Sequence, residues 1–132
     1  MTFVWPAVLL VRLLLAGSVH AQGDAVWSTA APLDLLMVDD RFVPDRLELR
    51  QGAAYRIHME NRGRHLHEFT APEFLATAAV HNRGVLANEG KDVVVQPGQA
   101  VDLYLMPLKA GTFRLICADH DWDGMLGEIV VR

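Results

Sequence analysis

The chain has 132 residues, with 12 Lys and Arg against 16 Asp and Glu, six His, one cysteine and 52% hydrophobic residues. A formal net charge of −4 argues against nucleic acid or an anionic membrane surface as a partner and is compatible with a basic protein. A single cysteine excludes an internal disulfide framework and any site that needs two thiolates.

The first segment, MTFVWPAVLLVRLLLAGSVHA, is strongly apolar, lacks acids and has Arg12 as its only Lys or Arg. It closes on Val19-His20-Ala21, small enough for cleavage, so residues 1–21 read as a secretory signal peptide. An uncleaved anchor is the alternative, and both place the rest of the chain in the periplasm or otherwise outside the cytoplasm. No later run approaches the roughly 18 apolar residues that span a bilayer, so no membrane insertion is expected after cleavage. Without residues 1–21 the balance is 11 basic against 16 acidic residues. Residues 22–32, QGDAVWSTAAP, read as a linker, and residues 33–132 as one domain, expected to be monomeric.

Within that domain LDLLMV (33–38) reads as a strand, DRFVPD as a turn, and RLELR (46–50) as a second strand. AYRIHMEN (54–61) alternates cleanly, with Tyr55, Ile57 and Met59 on one face and Arg56, His58 and Glu60 on the other, as a half-buried strand does. Asn61 and Gly63 read as turn formers before the short strand LHEFT (66–70). Pro72 opens PEFLATAAV, whose composition is helical, and residues 81–90 read as a loop. KDVVVQ (91–96), VDLYLM (101–106), TFRLIC (112–117) and MLGEIVVR (125–132) complete the strands. Met37, Met59 and Met106 are assigned to the core, and His58 and His81 to no role. Short strands with turns every 8–12 residues and one short helix predict an all-β, Greek-key antiparallel β-sandwich.

The chemistry is concentrated in CADHDWDGM, residues 117–125. From Asp119, the acids Asp119, Asp121 and Asp123 followed by Gly124 imitate the start of a calcium loop. The twelfth position is then Val130 instead of a bidentate glutamate, and strand-like segments stand where helices are needed. From Cys117, the same stretch is Cys-x2-His-x4-Met. A thiolate, imidazoles and a weak thioether form the ligand set of mononuclear blue-copper sites, and Cys117, His120 and Met125 supply three of the four. The bland alternative for a lone cysteine is a buried small hydrophobe. The second imidazole should come from another loop at the same end, where His65 and His67 both qualify.

Beyond these ligands, N-R-G-R-H-L-H-E-F (61–69) resembles the N-x-G-x-x-x-H-E-F segment of small blue copper proteins of the cupredoxin family. Residues 117–125 resemble their ligand loop at the spacing of plastocyanin- and pseudoazurin-like members. P-G-Q-x-V-x-L (97–103) and G-T-F-x-x-x-C (111–117) extend the likeness over residues 33–132. The resemblance implies His67, Cys117, His120 and Met125 as ligands of one copper ion cycling between Cu(I) and Cu(II). It leaves His65 as a possible alternative ligand.

Four protein ligands leave no open position for a substrate, so the expected role is a one-electron carrier and not an enzyme. A nucleophilic Cys117–His120 pair lacks an orienting third residue, and a multicopper enzyme would need a second domain. His120, on the loop, is the ligand expected nearest solvent. The resemblance implies an apolar docking patch there, whereas this chain surrounds His120 with Asp119, Asp121 and Asp123 and offers only Trp122 as a large apolar residue. A redox protein partner with a basic docking surface is therefore expected. The rival reading is a copper-delivery module, with His65 serving in metal transfer.

Overall fold

The structure is a computed structural model that describes residue 1 and residues 19–132. The expected signal peptide over residues 1–21 lies for the most part outside the described residues. Among the described residues, ten strands form two five-stranded sheets. These are β1 (Ala31–Val38), β2 (Arg41–Val43), β3 (Arg46–Leu49), β4 (Tyr55–Asn61), β5 (His67–Thr70), β6 (Ala78–Val80), β7 (Asp92–Val95), β8 (Ala100–Pro107), β9 (Gly111–Ile116) and β10 (Leu126–Val131). The sheet orders are β2-β1-β4-β8-β6 and β3-β10-β9-β5-β7. Most ladders are antiparallel, but each sheet holds one parallel pairing, β1 with β4 and β3 with β10.

Alternation decides which side chains fill the sandwich. In β4, Ile57 and Met59 are fully buried, while His58 faces outward and meets Asp102 of β8 across the strand pair, Nδ1 to Oδ1 at 2.6 Å. In β8, Leu103 and Leu105 point inward, and the same two-residue period turns Met106 out of the core. The assignment of Met106 to the core is thereby corrected, whereas Met37 and Met59 are both fully buried. Full burial of each Leu, Ile, Phe or Met contributes roughly 1.5–3 kcal/mol. The strands that carry the site thus rest on apolar packing that needs no metal.

Two strands were not visible as such in the sequence. DRFVPD contains β2, which pairs with β1 through Met37–Phe42 and Val38–Arg41. The helical stretch after Pro72 stops at Ala76, and Ala78–Val80 adds an edge strand to β8. Helix α1 covers Val19–Ser28, and its Trp27 stacks on His81 with ring centroids 4.8 Å apart. Helix α2 covers Pro72–Ala76, with Pro72 in its first turn and Phe74 and Leu75 buried. No helix among the described residues is long and apolar enough to cross a membrane.

Candidate metal centre

The candidate ligands meet at one end of the sandwich because neighbouring strands of one sheet end there. His67 is the first residue of β5, Cys117 follows β9 and Met125 precedes β10, and β5, β9 and β10 are adjacent. Residues 117–125 close on themselves through main-chain bonds. The Cys117 N–H donates to Met125 O, the Met125 N–H to His120 O, and the His120 N–H to Cys117 O, all at 3.0–3.1 Å. A 3-10 turn over Asp121–Asp123 ends at Gly124, whose φ of 87° lies in the left-handed region. Glycine adopts that conformation without steric cost, and it returns the chain to Met125.

Inside this loop the donor atoms of His67, Cys117 and His120 all lie within 4.8 Å of one another. Cys117 Sγ is 3.4 Å from His120 Nδ1 and 3.9 Å from His67 Nδ1. Nitrogen and thiolate bonds of about 2.0–2.3 Å to one small divalent ion, at open angles, put such atoms roughly 3.4–3.8 Å apart. The spacing therefore fits a single ion. His67, Cys117 and Met125 are completely buried, whereas His120 reaches the surface. A thiolate, two imidazoles and a thioether favour copper over harder cations.

The surroundings prepare each donor. The Glu68 N–H donates to Cys117 Sγ at 3.4 Å, a bond that favours the thiolate. Burial nevertheless pushes the Cys117 thiol above its ordinary value, so binding a cation there releases a proton. His67 titrates below the ordinary histidine value because burial disfavours its charged form, against the opposing pull of Asp39. It is thus neutral at physiological pH. Its Nε2 lies 3.3 Å from Asp39 Oδ1, and the same oxygen accepts the Arg64 N–H at 2.8 Å. That N–H is the main reason Asp39 titrates below the usual carboxylate range.

Asn61 and Gly63 do more than form a turn. Asn61 is fully buried; its amide donates to the carbonyls of His65 and Val95, both at 2.8 Å, and its Oδ1 accepts the Gly63 N–H. A Cβ on Gly63 would run into Asp39 Oδ1 and stand 2.7 Å from His67 Nε2. Sequence reasoning missed Asp39 altogether. It stands 28 residues before His67, in the tight turn between β1 and β2, and carries no spacing signal.

The remaining candidates surround His120. His65 is exposed, its ring centroid 5.9 Å from that of His120, and it lies outside the three-residue donor cluster. Trp122 is 78% exposed and donates Nε1–H to Asp119 O. A surface depression of about 380 Å³ joins Asp39, Asp40, Arg64, His65, His120, Trp122 and Asp123. Asp119 and Asp123 are exposed and Asp121 is partly so; these acids lie on the 3-10 loop and outside the buried donor cluster.

Residues 7–131 match the family described as Cupredoxin-like domain. No curated protein matches the chain. Among solved structures, a dithionite-reduced auracyanin from Roseiflexus castenholzii is 13% identical with a TM-score of 0.58, over 78% of this chain and 98% of that one. Auracyanin B is 15% identical at 0.59, over 78% and 89%. A multi-copper oxidase from Pediococcus acidilactici is 16% identical at 0.57, over 79% of this chain but 26% of that one. At these identities the likeness shows the fold.

Proposed function

The chain belongs to the cupredoxin-like family, and on that premise we propose that it is an exported one-electron carrier holding a single copper ion. His67, Cys117, His120 and Met125 would hold the ion, at the spacing of plastocyanin- and pseudoazurin-like members. Bound in such a set, copper supplies a one-electron couple between Cu(II) and Cu(I). The observation that carries the reading is the buried convergence of His67 Nδ1, Cys117 Sγ and His120 Nδ1, of which only His120 reaches solvent.

The protein's own part is to hold, shield and connect. The closed 117–125 loop and the Glu68 N–H keep the donors in place through a change of oxidation state. Burial of His67, Cys117 and Met125 excludes water, which favours outer-sphere electron exchange over substrate chemistry and supports a carrier instead of an enzyme. The ring edge of His120 is where a partner's redox centre comes closest to the buried donors. Asp39, Asp40, Asp119, Asp121 and Asp123 around it favour a partner with basic residues at its electron entry point.

The decisive experiment adds copper(II) to the purified mature protein and compares its visible spectrum with that of Cys117→Ser. An intense thiolate-to-copper band in the wild type, lost in Cys117→Ser, is the expected result; a wild type without the band removes the reading. One observation favours copper delivery as a second reading, the exposed His65 ring beside His120. Retention of copper through repeated reduction in the presence of a chelating apo-acceptor supports the carrier, and ready surrender supports delivery.

A further inference from the structure

The turn between β1 and β2 consists of Asp39 and Asp40, the latter at a φ of 65°. This turn belongs to neither ligand loop, yet it is tied to one of them. The Arg62 N–H donates to Met37 O at 2.9 Å, the Arg64 N–H donates to Asp39 Oδ1 at 2.8 Å, and that oxygen faces His67 Nε2 at 3.3 Å. Gly63 passes so close that no side chain fits between the carboxylate and the ring.

A neutral imidazole has one N–H, and its partner decides which nitrogen carries it. A carboxylate only accepts, so an Asp39 carboxylate at Nε2 places the proton there. That leaves the Nδ1 lone pair directed toward Cys117 Sγ, 3.9 Å away. Among the described residues no carboxylate bonds the ring of His120, so the two imidazoles are held differently.

We infer that Asp39 is a positioning residue of the metal centre, fixing His67 in its Nε2–H tautomer and adding negative charge behind the imidazole. The inference rests on the copper reading above. A carboxylate behind a ligating histidine raises the basicity of the ligand, which strengthens the hold on Cu(II) more than on Cu(I). Asp39 therefore holds the reduction potential down, from behind a buried ligand and away from the exposed acids on the ligand loop.

The test compares wild type, Asp39→Asn, Asp39→Ala and Asp40→Asn. Asparagine keeps an oxygen for the Arg64 and His67 donors but removes the charge; Asp40→Asn removes the same charge one residue away without a bond to His67. Copper(II) and copper(I) dissociation constants, the reduction potential and ring-nitrogen NMR shifts of apo His67 are measured, with thermal melting to verify folding. Loss of such an outer partner weakens metal binding by about 10–100-fold. The expected result is a loss of that size for copper(II) in Asp39→Asn, smaller for copper(I), with a potential rising about 59 mV per tenfold difference between them. Asp40→Asn should change each quantity less, and Asp39→Ala should give a mixed His67 tautomer in the apo protein. Equal shifts in Asp39→Asn and Asp40→Asn, or none in either, overturn the role of Asp39. If Asp39→Ala does not fold, Asp39→Asn alone decides. A wild type that forms no thiolate-to-copper band removes the copper reading instead, a separate outcome.

Discussion

The side-chain amide of Asn61, at the end of β4, donates to the main-chain carbonyl of Val95, at the end of β7, at 2.8 Å. These strands belong to different sheets, so one buried amide ties the two halves of the sandwich beside the metal donors. Its second bond, to His65 O, fixes the segment that leads into His67.

Asn61→Ala leaves the carbonyls of His65 and Val95 and the Gly63 N–H without this partner. A buried group left unsatisfied costs about 1–3 kcal/mol. Chemical denaturation of the apo protein should show a loss of that order or somewhat more. Asn61→Asp, which keeps the Gly63 bond through Oδ1 but replaces the donor with a buried acceptor, should be no better than alanine. A loss below about 0.5 kcal/mol in both would show that the clamp contributes little.

Gly63→Ala tests close approach rather than backbone freedom. The new methyl group would collide with Asp39 Oδ1 and His67 Nε2, and overpacking of this kind costs about 1–3 kcal/mol. Both the apo melting temperature and copper(II) affinity should fall, because the collision pushes the carboxylate off the ligand ring. A loss of stability with unchanged copper affinity would show that the loop relaxes away from His67.

Much of this site was legible in the sequence because ligand chemistry is local. Cys117, His120 and Met125 share one loop, and soft donors at that spacing next to strand-like segments leave few alternatives. The choice of His67 over His65 comes instead from the resemblance to the cupredoxin segment, because residues two apart share a face in extended chain. His67 begins β5 and is buried, whereas His65 precedes the strand and is exposed. Asp39 was illegible because its role arises from two turns brought together only by the packing of β1 against β4. The same holds for β2 and β6, each three residues long, too short for a period to declare itself. Their positions are set by pairing with β1 and β8.

Glu68 predicts a pH dependence. Burial raises its carboxyl above the ordinary value of 4.5, helped by Asp119 and Asp92 nearby, and its Oε2 has no hydrogen-bond partner among the described residues. The folded state then binds a proton that the unfolded state has released. The contribution to stability is fully present below about pH 4.5 and is lost as pH rises through the higher folded value. Glu68→Gln, which cannot ionise, should therefore gain on wild type as pH rises across that window. Apo denaturation curves at several pH values check this, and a difference that does not grow with pH excludes Glu68 as its source.

The acids around His120 predict a coupled change in potential and kinetics. Asp119, Asp121 and Asp123 stand on the loop that carries His120, with Asp39 and Asp40 across the depression. Negative charge near the centre stabilises Cu(II) over Cu(I), and the exposed part of that effect is screened within about 10 Å at 0.1 M salt. Replacing Asp119, Asp121 and Asp123 by asparagine should raise the reduction potential at low salt and less so at high salt. The same variant should accept electrons from a basic donor protein about tenfold or more slowly at low salt, where steering by opposite charge contributes most. Its rate should converge with wild type as salt rises. Stopped-flow reduction across a salt series, alongside voltammetry, separates the two effects. A changed potential with an unchanged salt slope would place the docking surface away from His120, while an unchanged potential would mean that solvent screens the loop carboxylates completely.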